Sequence, residues 1–192
     1  MLRNATRQDC GRLARLYADN LPNDLPCRLG QRFLAGLFEI VIAAPATAVV
    51  VAERGGMLLG FCVITRARQA INRSLISKLA GALLLRPAVL IGIVLQALNP
   101  SFLKSLFGEP DRDTADWREV YLIAVSQQAR GGGLGSKLLE MALAAGPAEI
   151  PCLAKTMDDG AAIFYQSMGF VPMGTEKRGS RSLTVLGRKE QV

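Results

Sequence analysis

Histidine is absent from all 192 residues of the chain. That removes Ser-His-Asp and Cys-His nucleophile triads, His-ligated zinc and haem, and any imidazole acid or base. Chemistry at neutral pH is left to Tyr, Glu, Asp, Lys, Cys or backbone dipoles. Cysteine is scarce. The four thiols, Cys10, Cys27, Cys62 and Cys152, include no Cys-x-x-Cys pair. Neither a zinc knuckle nor a dithiol redox motif is supported, so no metal site is expected and reduced thiols of a cytosolic protein are. The N-terminus, Met1-Leu-Arg-Asn-Ala-Thr, lacks the apolar core of a signal peptide, which agrees with a cytoplasmic location. Aromatic residues make up only 6% of the chain and basic residues form few dense runs. A nucleic-acid platform is therefore disfavoured, although Lys+Arg outnumber Asp+Glu by 23 to 16, a net charge of +7. An anionic cofactor or a membrane surface suits that charge better.

What is present is an ordinary globular balance, 50% hydrophobic and 20% charged. The length suits one compact domain, and no repeat or linker divides it, so residues 1–192 are expected to form a single domain. Thr6-Arg-Gln-Asp9 matches a capping box, and Cys10, Leu13 and Tyr17 follow at helical spacing. A second helical stripe runs through Phe33, Leu37, Ile40, Val41 and Ala44 and stops before Pro45. Ala48 to Arg54 and Met57 to Thr65 flank Gly55-Gly56 and read as a hairpin.

Residues 71–99 are unusual. From Leu79 to Leu98 only Arg86 and Gln96 interrupt an apolar run. Its length would span a bilayer, but Arg86-Pro87 near the middle opposes insertion and breaks a helix bond. An apolar helical pair, buried or packed on a partner, is the leading reading; a membrane-surface lobe and a true span are the alternatives. Gly108 to Asp116 reads as an exposed loop. Beyond it, Glu119 to Val125 predicts a strand, Gly133 to Ala145 a helix, Glu149 to Lys155 a strand and Gly160 to Met168 a helix. Phe170 to Met173 and Ser182 to Arg188 predict closing strands, and the whole order is that of an α/β fold.

Between the strand ending at Val125 and the next helix lies Arg130-Gly131-Gly132-Gly133-Leu134-Gly135-Ser136. Glycines there let a ligand approach the backbone, and amides at a helix N-terminus attract anions. The competing reading is a flexible surface loop. A Walker A loop is excluded because Lys137 follows Ser136 in the wrong order, and a Rossmann fingerprint because Ser136 fills its third glycine position. The loop is read as a phosphate cradle of neither common type.

Val120 to Leu139 resembles the acyl-CoA-binding core of the GNAT superfamily of N-acetyltransferases. Its Gln/Arg-x-x-Gly-x-Gly/Ala signature is met by Arg130, Gly133 and Gly135. A second block, Ala161-Ala-Ile-Phe-Tyr165-Gln-Ser-Met-Gly169-Phe170, resembles the family's Ala-x-x-x-Tyr-x-x-x-Gly-Phe helix. The resemblance implies a central mixed sheet flanked by helices, with the apolar helical insert at 71–99 outside the common core. It also implies acetyl-CoA as co-substrate and direct acetyl transfer to a primary amine on a small molecule or protein.

In proteins of this kind the strand ending at Val125 diverges from its neighbour. Backbone groups of Ile123, Ala124 and Val125 then pair with the pantetheine arm as an added strand would. Amides of Gly131, Gly133, Gly135 and Ser136 would hold the pyrophosphate, with Arg130 adding positive charge. The Val125 N–H would stabilise the oxyanion. Tyr165 matches the family's general acid, a phenol that stays protonated at pH 7 at its ordinary pKa of about 10. Glu119, placed by alternation on one strand face with Tyr121, Ile123 and Val125, is the candidate base, against the reading of a solvated strand-edge charge. Asp158 stands where the family often has a cofactor-contacting Asn, and a carboxylate cannot donate as an amide does. Cys152 reads as packing rather than a nucleophile. A catalytically silent acyl-CoA-binding or membrane-associated regulatory module is the alternative function, and a homodimer contact through 71–99 the alternative use of that segment.

Overall fold

The computed structural model describes residues 1–22, 24–83, 116–147, 149–178 and 181–189. The expectations for residues 84–99, and for the loop before Asp116, lie outside them. Two compact units are present, Met1–Leu90 with Tyr121–Gly146 and Ile91–Val120 with Pro147–Val192. Among the described residues there are seven strands.

In the first unit, β1 (Leu2–Asn4) pairs antiparallel with β2 (Thr47–Arg54), which pairs antiparallel with β3 (Met57–Thr65). The β2–β3 hairpin is the expected one. Gly55 and Gly56 both have positive φ, +56° and +79°, the backbone that a two-residue turn between twisted strands requires. Strand β1 was not legible, because three residues carry no readable alternation. Helix α1 (Cys10–Asn20) buries Cys10, Leu13 and Tyr17 as the spacing predicted. Short α2 (Leu25–Arg28) is followed by α3 (Gln31–Ala43), whose buried stripe is Leu34, Leu37, Phe38 and Val41. Phe33 and Ile40, expected in that stripe, are only partly buried. Phe38 packs edge-on against Phe61, with ring centroids 5.3 Å apart, and joins α3 to the sheet. Helix α4 (Arg68–Leu83) begins three residues before the expected Ile71, which is itself buried. Among the described residues no helix is long and apolar enough to cross a membrane.

Strand β4 (Arg118–Val125) runs through the boundary of the two units. Arg118, Val120 and Ala124 are buried while Glu119, Tyr121, Ile123 and Val125, the face the sequence predicted, are partly exposed; Leu122, on the other face, is partly exposed too. Helix α5 (Leu134–Ala144) follows in the first unit and buries Leu138, Leu139 and Ala142.

In the second unit, β4 pairs parallel with β5 (Cys152–Thr156), β5 antiparallel with β7 (Arg181–Arg188), and β7 antiparallel with β6 (Val171–Arg178). Two expected boundaries move. Strand β5 starts at Cys152 instead of Glu149, because Pro147 opens a turn closed by Ile150 N–H, and Pro151 has no N–H to give a ladder. Strand β6 runs on past Met173 to Arg178. Its polar half, Thr175 to Arg178, carries no apolar signal but pairs residue by residue with β7. Helix α6 (Asp159–Ser167) completes this unit.

Candidate active site

The glycine loop lies in the first unit. Ser126 donates its N–H to the Leu59 carbonyl at 2.8 Å, which fixes the end of β4 against β3. Residues Gln127–Ala129 then make one 3₁₀ turn. Gly131 and Gly133 have φ of +80° and +71°, left-handed values that a side chain strains to adopt. A Cβ built on Gly131, Gly132 or Gly133 meets no atom within 4 Å. Packing within the chain therefore does not require these three glycines, and the space over the loop is open to a ligand. Gly133 caps α5, and the first helical bond runs from Lys137 N–H to the Gly133 carbonyl at 3.2 Å. The N–H groups of Leu134, Gly135 and Ser136 precede that bond, so the helix leaves them without an internal acceptor. Such amides, at the positive end of the helix dipole, suit a pyrophosphate.

Arg130 does more than add charge. Its Nε donates to the Val125 carbonyl at 3.1 Å and its Nη2 to Asn20 Oδ1 at 3.0 Å. Asn20 in turn donates to the Leu16 carbonyl at 2.8 Å, so the last turn of α1, the end of β4 and the loop are tied together. Asn20 was missed; nothing in the sequence marks a partner 110 residues away.

Gly60 was missed as well. A Cβ there would stand 2.8 Å from Leu138 Cδ1, 3.0 Å from the Ala124 carbonyl oxygen and 3.3 Å from Val125 Cγ2. The missing side chain lets α5 and the end of β4 close on β3, next to a register shift after Ala52. Ser126 Oγ is buried and, among the described residues, is a hydroxyl with no hydrogen-bond partner.

Glu119, Asp158 and Tyr165 belong to the second unit. The β4–β5 ladder comprises three pairs and its last is Val120 with Ala154; β4 itself continues to Val125. Glu119 is partly buried opposite Leu153. Asp158 is the N-cap of α6, its Oδ1 accepting the Ala161 N–H at 2.7 Å. The carboxylate therefore has a structural use, as a helix cap.

Tyr165 is buried, with ring centroids 5.3 Å from Phe164 and 5.4 Å from Phe170. The Tyr-x-x-x-Gly-Phe spacing has a mechanical basis. Gly169, at φ +82°, donates to the Gln166 carbonyl, and Phe170 donates to the Tyr165 carbonyl, both at 3.0 Å. This is a Schellman end with its apolar contact, and it folds Phe170 back onto the Tyr165 ring. Cys152 is buried and burial pushes its thiol up to about 12, so it packs and does not attack. Among the described residues no cluster of Cys, Asp and Glu could hold a metal ion.

Residues 105–172 match the family model described as an acetyltransferase (GNAT) domain. No curated protein matches the chain. Solved structures do. A Corynebacterium glutamicum protein described as histone acetyltransferase HPA2 and related acetyltransferase has a TM-score of 0.63 at 20% identity, over 100% of this chain and 97% of that one. An N-acetyltransferase from Staphylococcus aureus has a TM-score of 0.64 at 15% identity, over 97% and 99%. The ribosomal-protein-alanine N-acetyltransferase of Brucella melitensis has a TM-score of 0.58 at 18% identity, over 98% and 99%. At these identities the structures show a shared fold: a mixed sheet flanked by helices.

Proposed function

We propose that this chain, whose residues 105–172 match a GNAT acetyltransferase domain, moves the acetyl group of acetyl-CoA directly onto a primary amine. The observation that carries the proposal is the loop after β4: left-handed Gly131 and Gly133, open space above them, and the unbonded first-turn amides of α5.

In this reading the amides of Gly131, Gly133, Gly135 and Ser136 hold the pyrophosphate. Arg130 serves indirectly, by fixing the Val125 carbonyl and hence the loop. Backbone groups of Ile123, Ala124 and Val125 pair with the pantetheine arm; a β4 that outruns its ladder with β5 supports this. The neutral amine attacks the thioester carbon, its electron pair making the new C–N bond. The Val125 N–H steadies the oxyanion, the C–S bond breaks, and the leaving thiolate takes a proton from Tyr165. The amine loses one proton, and Glu119 is the proposed acceptor of it. It takes that proton directly or through water. Asp158, the N-cap of α6, is the proposed cofactor contact at the start of that helix.

Calorimetric titration of the full chain with acetyl-CoA tests this. Saturable binding with a Kd below about 1 mM is expected. Gly133→Ala, which forces a side chain into a left-handed backbone at a cost of about 1–2 kcal/mol, should weaken it roughly tenfold. No binding by the wild-type chain would end the assignment.

A further inference from the structure

The first unit holds the peptide that follows Val125 from both sides. That peptide is planar, so its carbonyl and its N–H turn together. Its N–H, that of Ser126, donates to the Leu59 carbonyl on β3 at 2.8 Å. Its carbonyl, that of Val125, accepts from Arg130 Nε at 3.1 Å. The Ser126 hydroxyl, buried and without a partner among the described residues, adds nothing to this hold. A peptide fixed at both ends fixes the backbone at Val125, and with it the direction of the Val125 N–H, the proposed oxyanion donor.

Arg130 is exposed, and an exposed arginine has wide rotamer freedom to lose before it can hold anything. Asn20 removes that freedom. The guanidinium turns its side-on fork to two acceptors, Nε to Val125 and Nη2 to Asn20 Oδ1 at 3.0 Å. Asn20 is itself fixed, because its Nδ2 donates at 2.8 Å to the Leu16 carbonyl, one turn back on α1. A flipped amide would set donor against donor at Arg130 and oxygen against oxygen at Leu16, so only one orientation satisfies both. Helix α1 is anchored in turn by Leu13, Leu16 and Tyr17, all buried. We propose, resting on the acetyl-transfer reading, that Asn20 is a positioning residue for that reaction. It acts through Arg130, which sets the Val125 peptide, and not on the reactants.

Asn20→Ala removes both bonds, whereas Asn20→Asp keeps an oxygen for Arg130 and loses only the donor to Leu16. In Asn20→Ala, kcat read by thiol release should fall about fivefold with acetyl-CoA Kd within about twofold of wild type, because an oxyanion donor is used only in the transition state. Asn20→Asp should keep kcat within about twofold yet melt below wild type, since a helix C-terminus disfavours a carboxylate. Unchanged kcat in Asn20→Ala, or kcat that follows melting temperature in both variants, overturns the inference. Arg130→Lys keeps the charge without the fork; it should lower kcat about as far as Asn20→Ala, and the double variant no further. Additive losses overturn the inference too. Amide hydrogen exchange at Ser126, followed by NMR without cofactor, should quicken about threefold in Asn20→Ala and not in Asn20→Asp. Exchange unchanged in Asn20→Ala means that Asn20 does not hold the peptide. A wild-type chain that binds no acetyl-CoA sinks the transfer reading instead, and the exchange at Ser126 still decides the brace.

Discussion

Tyr165 owes its placement to the two residues that close its helix. Left-handed Gly169 turns the chain so that Phe170 packs at a tilt against the phenol ring, and Phe164 packs against it at a tilt as well. A proton donor needs such a fixed ring, because a misplacement of one ångström costs far more rate than it costs stability. Tyr165→Phe keeps the ring contacts and removes only the hydroxyl. We expect kcat to fall about a hundredfold while acetyl-CoA affinity, read by calorimetry, stays within about twofold of wild type. Unchanged turnover would remove Tyr165 from the mechanism. Cys152 shows the opposite case, a reactive side-chain type made inert by burial. The sequence nominated Tyr165 through its block and read Cys152 as packing through its strand context, and the structure buries Cys152.

The β4–loop–α5 element depends on contacts that no local pattern announces. Gly60 reads in the sequence as one small residue inside an apolar strand. In the structure it is the point where Leu138 of α5 and the Ala124–Val125 backbone close on β3. Gly60→Ala should therefore lower unfolding free energy by about 1–3 kcal/mol, because the Ala124 carbonyl cannot swing aside as the Leu138 methyl can. It should also weaken acetyl-CoA binding, because the first turn of α5 moves with Leu138. Thermal melts and the same titration check both; a variant that melts lower yet binds as wild type would detach Gly60 from the loop.

Across the chain's first unit, a charge network closes the N-terminal strand onto the hairpin and α1. Asp9 is buried and accepts two bonds from Arg3, at 2.7 and 2.9 Å, one from Arg12, and the Thr6 N–H at 2.8 Å. Arg3 and Arg12 also reach Glu53 on β2, at 2.5 and 2.9 Å. The Arg3 guanidinium, foremost, holds the Asp9 carboxyl far below the usual carboxylate range, and Arg12, then Arg3, lower that of Glu53. A carboxyl depressed in the folded state stabilises the fold at any pH above its unfolded value, about 3.9 for Asp. That stabilisation is lost as pH falls below this value towards the folded one. Urea midpoints measured from pH 7 to 3 should drop steeply below about pH 4. Asp9→Asn should cost about 2 kcal/mol at pH 7, since its arginine partners are partly exposed, and should flatten the acid limb. A variant with the wild-type acid limb would show that other carboxylates carry it.

Local rules were sufficient for the hairpin, for α1 and α3, for β4 with its alternating face, and for the two blocks around Gly133 and Tyr165. Each rests on periodicity, turn glycines or a motif contained within about 20 neighbouring residues. Long-range packing decided the rest. Strand β1 exists because β2 offers it an edge, and the polar half of β6 because β7 pairs with it. Asn20 reaches Arg130, Gly60 admits Leu138, and Tyr17 and Tyr121 share one core. Those partners lie tens to more than a hundred residues apart in the chain, and a side chain's partner at that separation is set by where the backbone returns, which no local spacing encodes.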